Sequence, residues 1–237
     1  MNNICITLDT DWVTDEVLDF TLEILDQHDI KATFFCTNKT QCDLKSHEIG
    51  IHPNFTSMDF EKHVADMLDI FPDSKGMRSH SLFFTERLRP ILAMYNINYT
   101  SNNMMFEQGG ITPYMISPSV VEIPIYFMDT FNLIMKGSDL TFEMDKKLMK
   151  QDGLKVYDFH PIHIYSNTRS LEHYDSYKKY YHDTKSLKNH RNVTHPGIRN
   201  YFIDLLKFIK QHDQECSSML ELSIKYQNSQ YAGTNNR

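Results

Sequence analysis

The sequence predicts an α/β fold in which short buried strands alternate with amphipathic helices along the chain. Three observations carry this. Residues 4–8 are apolar apart from Thr7, the pattern of a parallel strand covered on both faces. Val17, Phe20, Thr21 and Ile24 then recur at helical spacing, with Leu18, Leu22 and Leu25 widening the same face. Residues 32–36 form a second buried run, so the chain opens with a βαβ unit. At 237 residues the chain can bury a large core and falls in the size range of one α/β barrel, so 1–237 is expected to be a single domain.

The remaining elements follow in order. The first helix begins after Thr14, a suitable N-cap, and ends near His28. Residues 48–52 make a short third strand and 58–71 a helix that turns Phe60, Val64, Met67, Leu68 and Phe71 inward. Residues 76–81 are a fourth strand end, and 85–96 a helix that Pro90 obliges to start nearby or to kink. Residues 97–101, 120–127 and 154–160 supply three further strands, bringing the total to about seven. The stretch 165–195 reads as a polar loop insertion: Tyr174, Tyr177, Tyr180 and Tyr181 suit the faces of a sugar, while a disordered lid or a metal-binding cluster of His173, His182 and His190 stays open. Residues 201–211 form a closing helix with Phe202, Leu205, Leu206 and Ile209 apolar, and 219–226 packs the end of the chain. Strands followed by helices argue for a barrel; periodicity alone leaves a doubly wound sheet open.

Composition excludes several functions. A formal net charge of -7 offers no basic footprint, so nucleic acid is not expected as a partner. Asn2 and Asn3 stand where a leader would carry charge, and no apolar stretch reaches membrane-spanning length, so the chain is expected in the cytoplasm. Cys5, Cys36, Cys42 and Cys216 are scattered without a CxxC pattern, which argues against a thiolate metal site.

The chemistry gathers at strand ends. Asp9 and Asp11 are two residues apart, which in extended chain points both carboxylates to one side. Two carboxylates aimed at one spot raise each other's pKa and call for a cation or a shared proton. The bland alternative is that Asp11 opens a solvated loop and caps the helix after it. His52, Arg78, His80, His160 and His163 also close predicted strands, and barrel enzymes place their chemistry at that end. A lone histidine there is more often structural; several converging on one face reverse that expectation.

The segments "ITLDTDW", "IKATFFCT" and "HEIGIHPNF", followed by Arg78 in "GMRSHSLF" and the late "VYDFHPIHI", resemble the polysaccharide deacetylase family of NodB-type carbohydrate esterases, from residue 4 to about residue 225. The resemblance implies a distorted, incomplete (β/α) barrel. It implies an enzyme that hydrolyses an N-acyl group, acetyl or formyl, from an aminosugar of a cell-surface polysaccharide or its precursor, using one divalent metal ion, zinc being expected. Carried over residue by residue, Asp9 matches the catalytic base, Asp11 the metal-binding Asp and His52 the first metal-binding His. The family's second His would fall at Thr56, so His80 is expected to complete the three protein ligands that a catalytic zinc takes, with His47 the weaker candidate. Thr10 separates the two Asp residues, a spacing that resembles the branch deformylating lipid-linked aminosugars and leaves the roles of Asp9 and Asp11 open. Arg78 is expected to grip the base carboxylate in a bidentate pair. His160 or His163 is expected to act as the acid that protonates the leaving nitrogen, and Asp129 to support Arg78 or a ligand histidine from behind. The partner implied is an acylated aminosugar, free, nucleotide-linked or lipid-linked, the last entailing peripheral membrane contact. Two other readings stay open: a hydrolase of a small non-sugar amide or ureide, and a non-catalytic glycan-binding barrel.

Overall fold

The computed structural model describes residues 3–137, 140 and 151–234; the extreme ends of the expected 1–237 domain lie outside them. Among the described residues one sheet contains nine strands: β1 (Ile4–Asp9), β2 (Thr33–Cys36), β3 (Glu48–Ile51), β4 (Gly76–Met77), β5 (Tyr99–Thr100), β6 (Tyr114–Ser117), β7 (Val120–Glu122), β8 (Phe127–Met128) and β9 (Lys155–Phe159). Their order is β6-β7-β5-β4-β3-β2-β1-β9-β8, parallel everywhere except between β6 and β7. β1 is buried along its whole length because β2 and β9 flank it, and α1 (Asp15–Gln27) packs the apolar face read from the sequence into the core.

The sheet is curled into an incomplete barrel. Laid flat, the run of parallel strands from β7 to β8 would stretch about 34 Å at the usual spacing of ~4.8 Å. Residues 123–126 join those two strands, and such a link spans at most about 18 Å when fully extended. That link crosses the barrel opening: Ile125 exchanges backbone hydrogen bonds with Asn103 and Met105, and the Tyr126 N–H donates to the Val156 carbonyl. The side chain of Arg78 gives a second proof. It stands at the end of β4 yet reaches Asp9 of β1, with β3 and β2 lying between them in the sheet.

Nine strands replace the seven expected for two physical reasons. The run 120–127 is broken at Pro124, which has no N–H for the ladder, so the chain leaves β5 after Glu122 and rejoins the sheet beside β9. β6 is a short, half-exposed edge strand that hairpins onto β7, and its alternation is too brief to register in the sequence. The helices after α1 are α2 (Phe60–Ile70), α3 (Leu88–Met94), α4 (Asp129–Lys136), α5 (Pro161–Ser166), α6 (Leu171–Tyr177), α7 (Thr184–Asn189), α8 (Ile198–Gln211) and α9 (Met219–Thr234). Pro90 falls in the first turn of α3, where a missing N–H leaves no bond unmade. The segment 165–195 is helical where a loop was expected: Ser170 and Asp183 cap α6 and α7 by accepting from the backbones of His173 and Ser186. No helix among the described residues is long and apolar enough to cross a membrane.

Candidate active site

A cavity of about 400 Å³ opens at the carboxyl ends of β1, β3, β4 and β9, and Asp9, Asp11, His52, His80, His160 and His163 all line it. Arg78 and Asp129 lie beneath these groups, both fully buried. A larger cavity of about 630 Å³ lies at the opposite end of β3, around His47 and Glu48, but no cluster of metal-ligating side chains is found there among the described residues. His47 is thereby removed as a ligand candidate, and its Nδ1 is taken up by the Ala32 N–H at 3.1 Å. Thr56, where the second family histidine would fall, is exposed to solvent.

Three groups converge on one point. Asp11 Oδ1 lies 3.2 Å from His52 Nε2 and 3.3 Å from His80 Nδ1, and it is buried without a hydrogen bond of its own. Ligands held ~2.05 Å from a tetrahedral zinc stand about 3.3 Å apart along each edge. The donor set and its spacing therefore fit a divalent cation. Burial pushes the Asp11 carboxyl up, but the neighbouring imidazoles of His52, His80 and His160 outweigh it and hold Asp11 well below the usual carboxylate range. The expected mutual raising of Asp9 and Asp11 is thus overturned at Asp11 by the imidazoles around it.

Local backbone strain, rather than extended chain, brings these groups together. β1 stops at Asp9, and Asp11 and Trp12 take left-handed φ values of 42° and 58°. β4 stops at Met77, earlier than expected, and His80 is followed by Ser81 and Leu82 at φ 58° and 54°. Such conformations cost on the order of 1–3 kcal/mol per non-glycine residue and persist only where surrounding contacts enforce them.

Arg78 organises the floor of the site. Its Nη1 donates to Asp9 Oδ1 at 2.9 Å, Asp158 Oδ1 at 2.6 Å and Thr7 Oγ1 at 2.9 Å. Its Nη2 and Nε donate to Ser101, and its guanidinium lies over the Phe35 ring at 4.3 Å. The expected bidentate grip on Asp9 is instead one nitrogen shared between two carboxylates, because the other two nitrogens are committed to Ser101. Asp158 escaped the sequence reading; its only signal is an acid inside the buried run of β9, two residues before His160. Burial pushes its carboxyl well up, against the pull of Arg78, and the Asp9 charge pushes the same way. Replacing Arg78 by Met strands two buried carboxyl groups without their cation. Urea unfolding of Arg78→Met at neutral pH is expected to show a loss of about 3–5 kcal/mol. Adding Asp158→Asn should recover part of it, and a loss under ~1 kcal/mol would deny Arg78 its role in the fold.

Across the cavity, His160 forms a dyad with Asp129. The two meet at 2.6 Å between Nδ1 and Oδ1, the His160 N–H donates to Oδ2 at 2.8 Å, and His160 Nε2 faces Asp11 Oδ2 at 3.5 Å. Burial pushes this imidazole down, but Asp129, Asp11 and Asp158 outweigh it and raise His160 well above its ordinary value. Asp129 therefore pairs with His160, and among the described residues no hydrogen bond or ion pair joins it to Arg78 or to the Asp11–His52–His80 cluster. His163 is different: burial lowers it to about 4, and its nitrogens are occupied by Thr168, Tyr177 and Thr130 at 3.0, 3.2 and 3.2 Å. The walls include Tyr174 and Tyr181 from the 165–195 segment. Tyr177 is buried behind them, and Tyr180 stacks on His190. Met104, Met128, Thr130 and Phe131 also line the cavity and were not singled out by sequence, since apolar wall residues look like core residues there.

A curled, incomplete (β/α) barrel with a carboxylate and imidazole cluster at its strand ends is the architecture of the sugar-amide hydrolases known as polysaccharide deacetylases. The family model of WbmS-like polysaccharide deacetylases matches residues 6–178, and the chain belongs to that family. A solved structure from Bordetella bronchiseptica, described as a polysaccharide deacetylase involved in O-antigen biosynthesis, is similar at TM-score 0.78 and 28% identity, covering 87% of this chain and 90% of that one. A Mycobacterium smegmatis protein described as a polysaccharide deacetylase is similar at TM-score 0.60 and 14% identity over 97% and 91% of the two chains. A carbohydrate esterase family 4 pseudoenzyme from Bacillus anthracis is similar at TM-score 0.53 and 14% identity over 94% and 66%; these last two likenesses concern the fold alone. No curated protein matches the chain.

Proposed function

We propose that this protein removes an N-acyl group, acetyl or formyl, from an aminosugar of a cell-surface polysaccharide or its precursor, with one zinc ion held by Asp11, His52 and His80. The observation that carries this is the approach of two imidazole nitrogens to one orphaned Asp11 oxygen, with a His–Asp dyad facing it. The O-antigen role described for the Bordetella protein supports the choice of substrate. A bound divalent cation would polarise the acyl oxygen and bring the pKa of a water from about 16 towards ~7.

The chain's own groups supply the rest. Asp9, fixed through Oδ1 by Arg78, presents Oδ2 3.8 Å from His52 Nε2, where it can take a proton from the attacking water. His160 Nε2 returns a proton to the departing nitrogen, and Asp129 fixes the ring by binding Nδ1. Tyr174, Tyr181 and Phe131 give the sugar ring an apolar face to rest on. Among the described residues no Lys or Arg lines the cavity, which suits an uncharged sugar; the phosphates of a nucleotide-linked or lipid-linked precursor would lie outside it. Such a precursor would be processed in the cytoplasm, with peripheral contact to the membrane for a lipid-linked form.

The test pairs a zinc titration with acetate and formate release from a panel of N-acyl aminosugars, free and linked. One zinc per chain and release from at least one sugar are expected. Zinc binding without release from any of them would favour a non-catalytic barrel. Release from small amides or ureides alone would favour the non-sugar hydrolase.

A further inference from the structure

The turn that carries Asp11 is closed by a side-chain clasp between the ends of β1 and β2. The Val13 N–H donates to the Thr10 carbonyl at 3.0 Å, so residues 10–13 form a tight turn whose two central residues, Asp11 and Trp12, are both left-handed. Turns of that hand normally recruit Asn and Gly, because a side chain crowds the backbone there. Neither central residue here is glycine, so something must hold the turn.

Thr10 and Thr37, both buried, are placed to do so. Thr10 Oγ1 accepts from the Thr37 N–H at 3.1 Å and lies 3.2 Å from Thr37 Oγ1. Thr37 Oγ1 in turn accepts from the Trp12 N–H at 2.8 Å and donates to Asn38 Oδ1 at 2.9 Å. With Thr10 donating to Thr37, every hydrogen in this set has an acceptor. The same stretch fixes the neighbouring element, since the Cys36 carbonyl receives the His52 N–H at 2.9 Å. Trp12, directed outward by its left-handed backbone, sets its ring against His80 at 5.1 Å and 70°, edge to face.

We propose that the Thr10–Thr37 clasp is a positioning device: it holds the strained turn that aims Asp11 at the metal position and sets Trp12 against His80. The residue between the two aspartates is then a working part of the spacing, because Thr10 supplies the hydroxyl that joins the two strand ends. The inference rests on the metal site proposed above, and it concerns residues that touch neither metal nor substrate. Groups that orient ligands in this way typically change metal affinity 10–100-fold when removed, on the order of magnitude seen for outer partners of metal sites.

The test compares wild type, Thr37→Val and Thr37→Ser by zinc competition against a chromogenic chelator, by thermal melting of the zinc-free protein, and by the emission of Trp12, the sole tryptophan. Thr37→Val keeps shape and loses the hydroxyl. It is expected to weaken zinc binding at least about tenfold and to shrink the zinc-induced change in Trp12 emission, while the zinc-free protein melts within ~5 °C of wild type. Thr37→Ser keeps the hydroxyl and should return the affinity to within about threefold of wild type. Wild-type affinity in Thr37→Val would overturn the clasp and leave the metal site standing. Equal weakening in both variants, or weakening accompanied by a large fall in melting temperature, would reduce Thr37 to a packing residue and overturn the proposal too. A wild type that takes up no zinc would remove the metal site and the clasp together.

Discussion

Asp9→Asn is expected to retain the fold and the zinc but to lower turnover at least about a hundredfold, the scale of losing a positioned base. The reasoning starts from the floor of the site. Asp9 gives one oxygen to Arg78 and turns the other towards His52 at 3.8 Å, farther than the 3.2 Å of Asp11. Asparagine keeps an acceptor for Arg78, and Asp158 stays as the cation's second carboxyl partner, so no buried charge is stranded. What is lost is the capacity to take a proton. Asp11→Asn should do the reverse, losing most of the zinc affinity, because its carboxylate is the point on which His52 and His80 converge. Steady-state kinetics together with metal analysis of both variants separates the roles. Zinc lost from Asp9→Asn and kept by Asp11→Asn would exchange them.

Much of this site was legible in the sequence because it sits where a parallel barrel must place its chemistry. Strands β1, β2, β3 and β9 announced themselves as apolar runs, and the polar residues closing them, Asp9, His52 and His160, could hardly lie anywhere but the open end. His80 was reachable by need: two proposed ligands required a third, and Thr56 could not supply it. Extended chain would point Asp9 and Asp11 to one side, but a left-handed turn after β1 is what places Asp11 beside His52 and His80. No periodicity reports a φ of 58° at a tryptophan. The sharing of Arg78 between Asp9 and Asp158 was likewise out of reach, because it depends on the sheet curling until β4 faces β1 and β9 across the interior. Curl is a property of the closed set of strands, and the break at Pro124 that permits it reads locally as one blemish in a long strand.

His160→Ala should slow cleavage of a sugar amide at least about a hundredfold while costing a matched aryl ester far less. The difference lies in the leaving group. A phenoxide departs from the tetrahedral intermediate with little help, whereas an amine must receive a proton before the intermediate can collapse forward. Nε2 of His160 faces the Asp11 cluster from 3.5 Å, Asp129 holds the opposite nitrogen at 2.6 Å, and the surrounding carboxylates favour the protonated ring. Asp129→Asn keeps the ring nearly in place but removes the charge that favours its proton, so it should show the same amide-selective defect in weaker form. His163 is not expected to stand in, because burial lowers it to about 4 and its nitrogens are bound to Thr168, Tyr177 and Thr130. His163→Ala should therefore act first on stability, because Thr168, Tyr177 and Thr130 would lose a buried partner. Equal losses on amide and ester in His160→Ala would take the acid role from His160. An amide-selective defect in a stably folded His163→Ala would move that role to His163, which also lines the cavity, and require its nitrogen to be freed from Thr130.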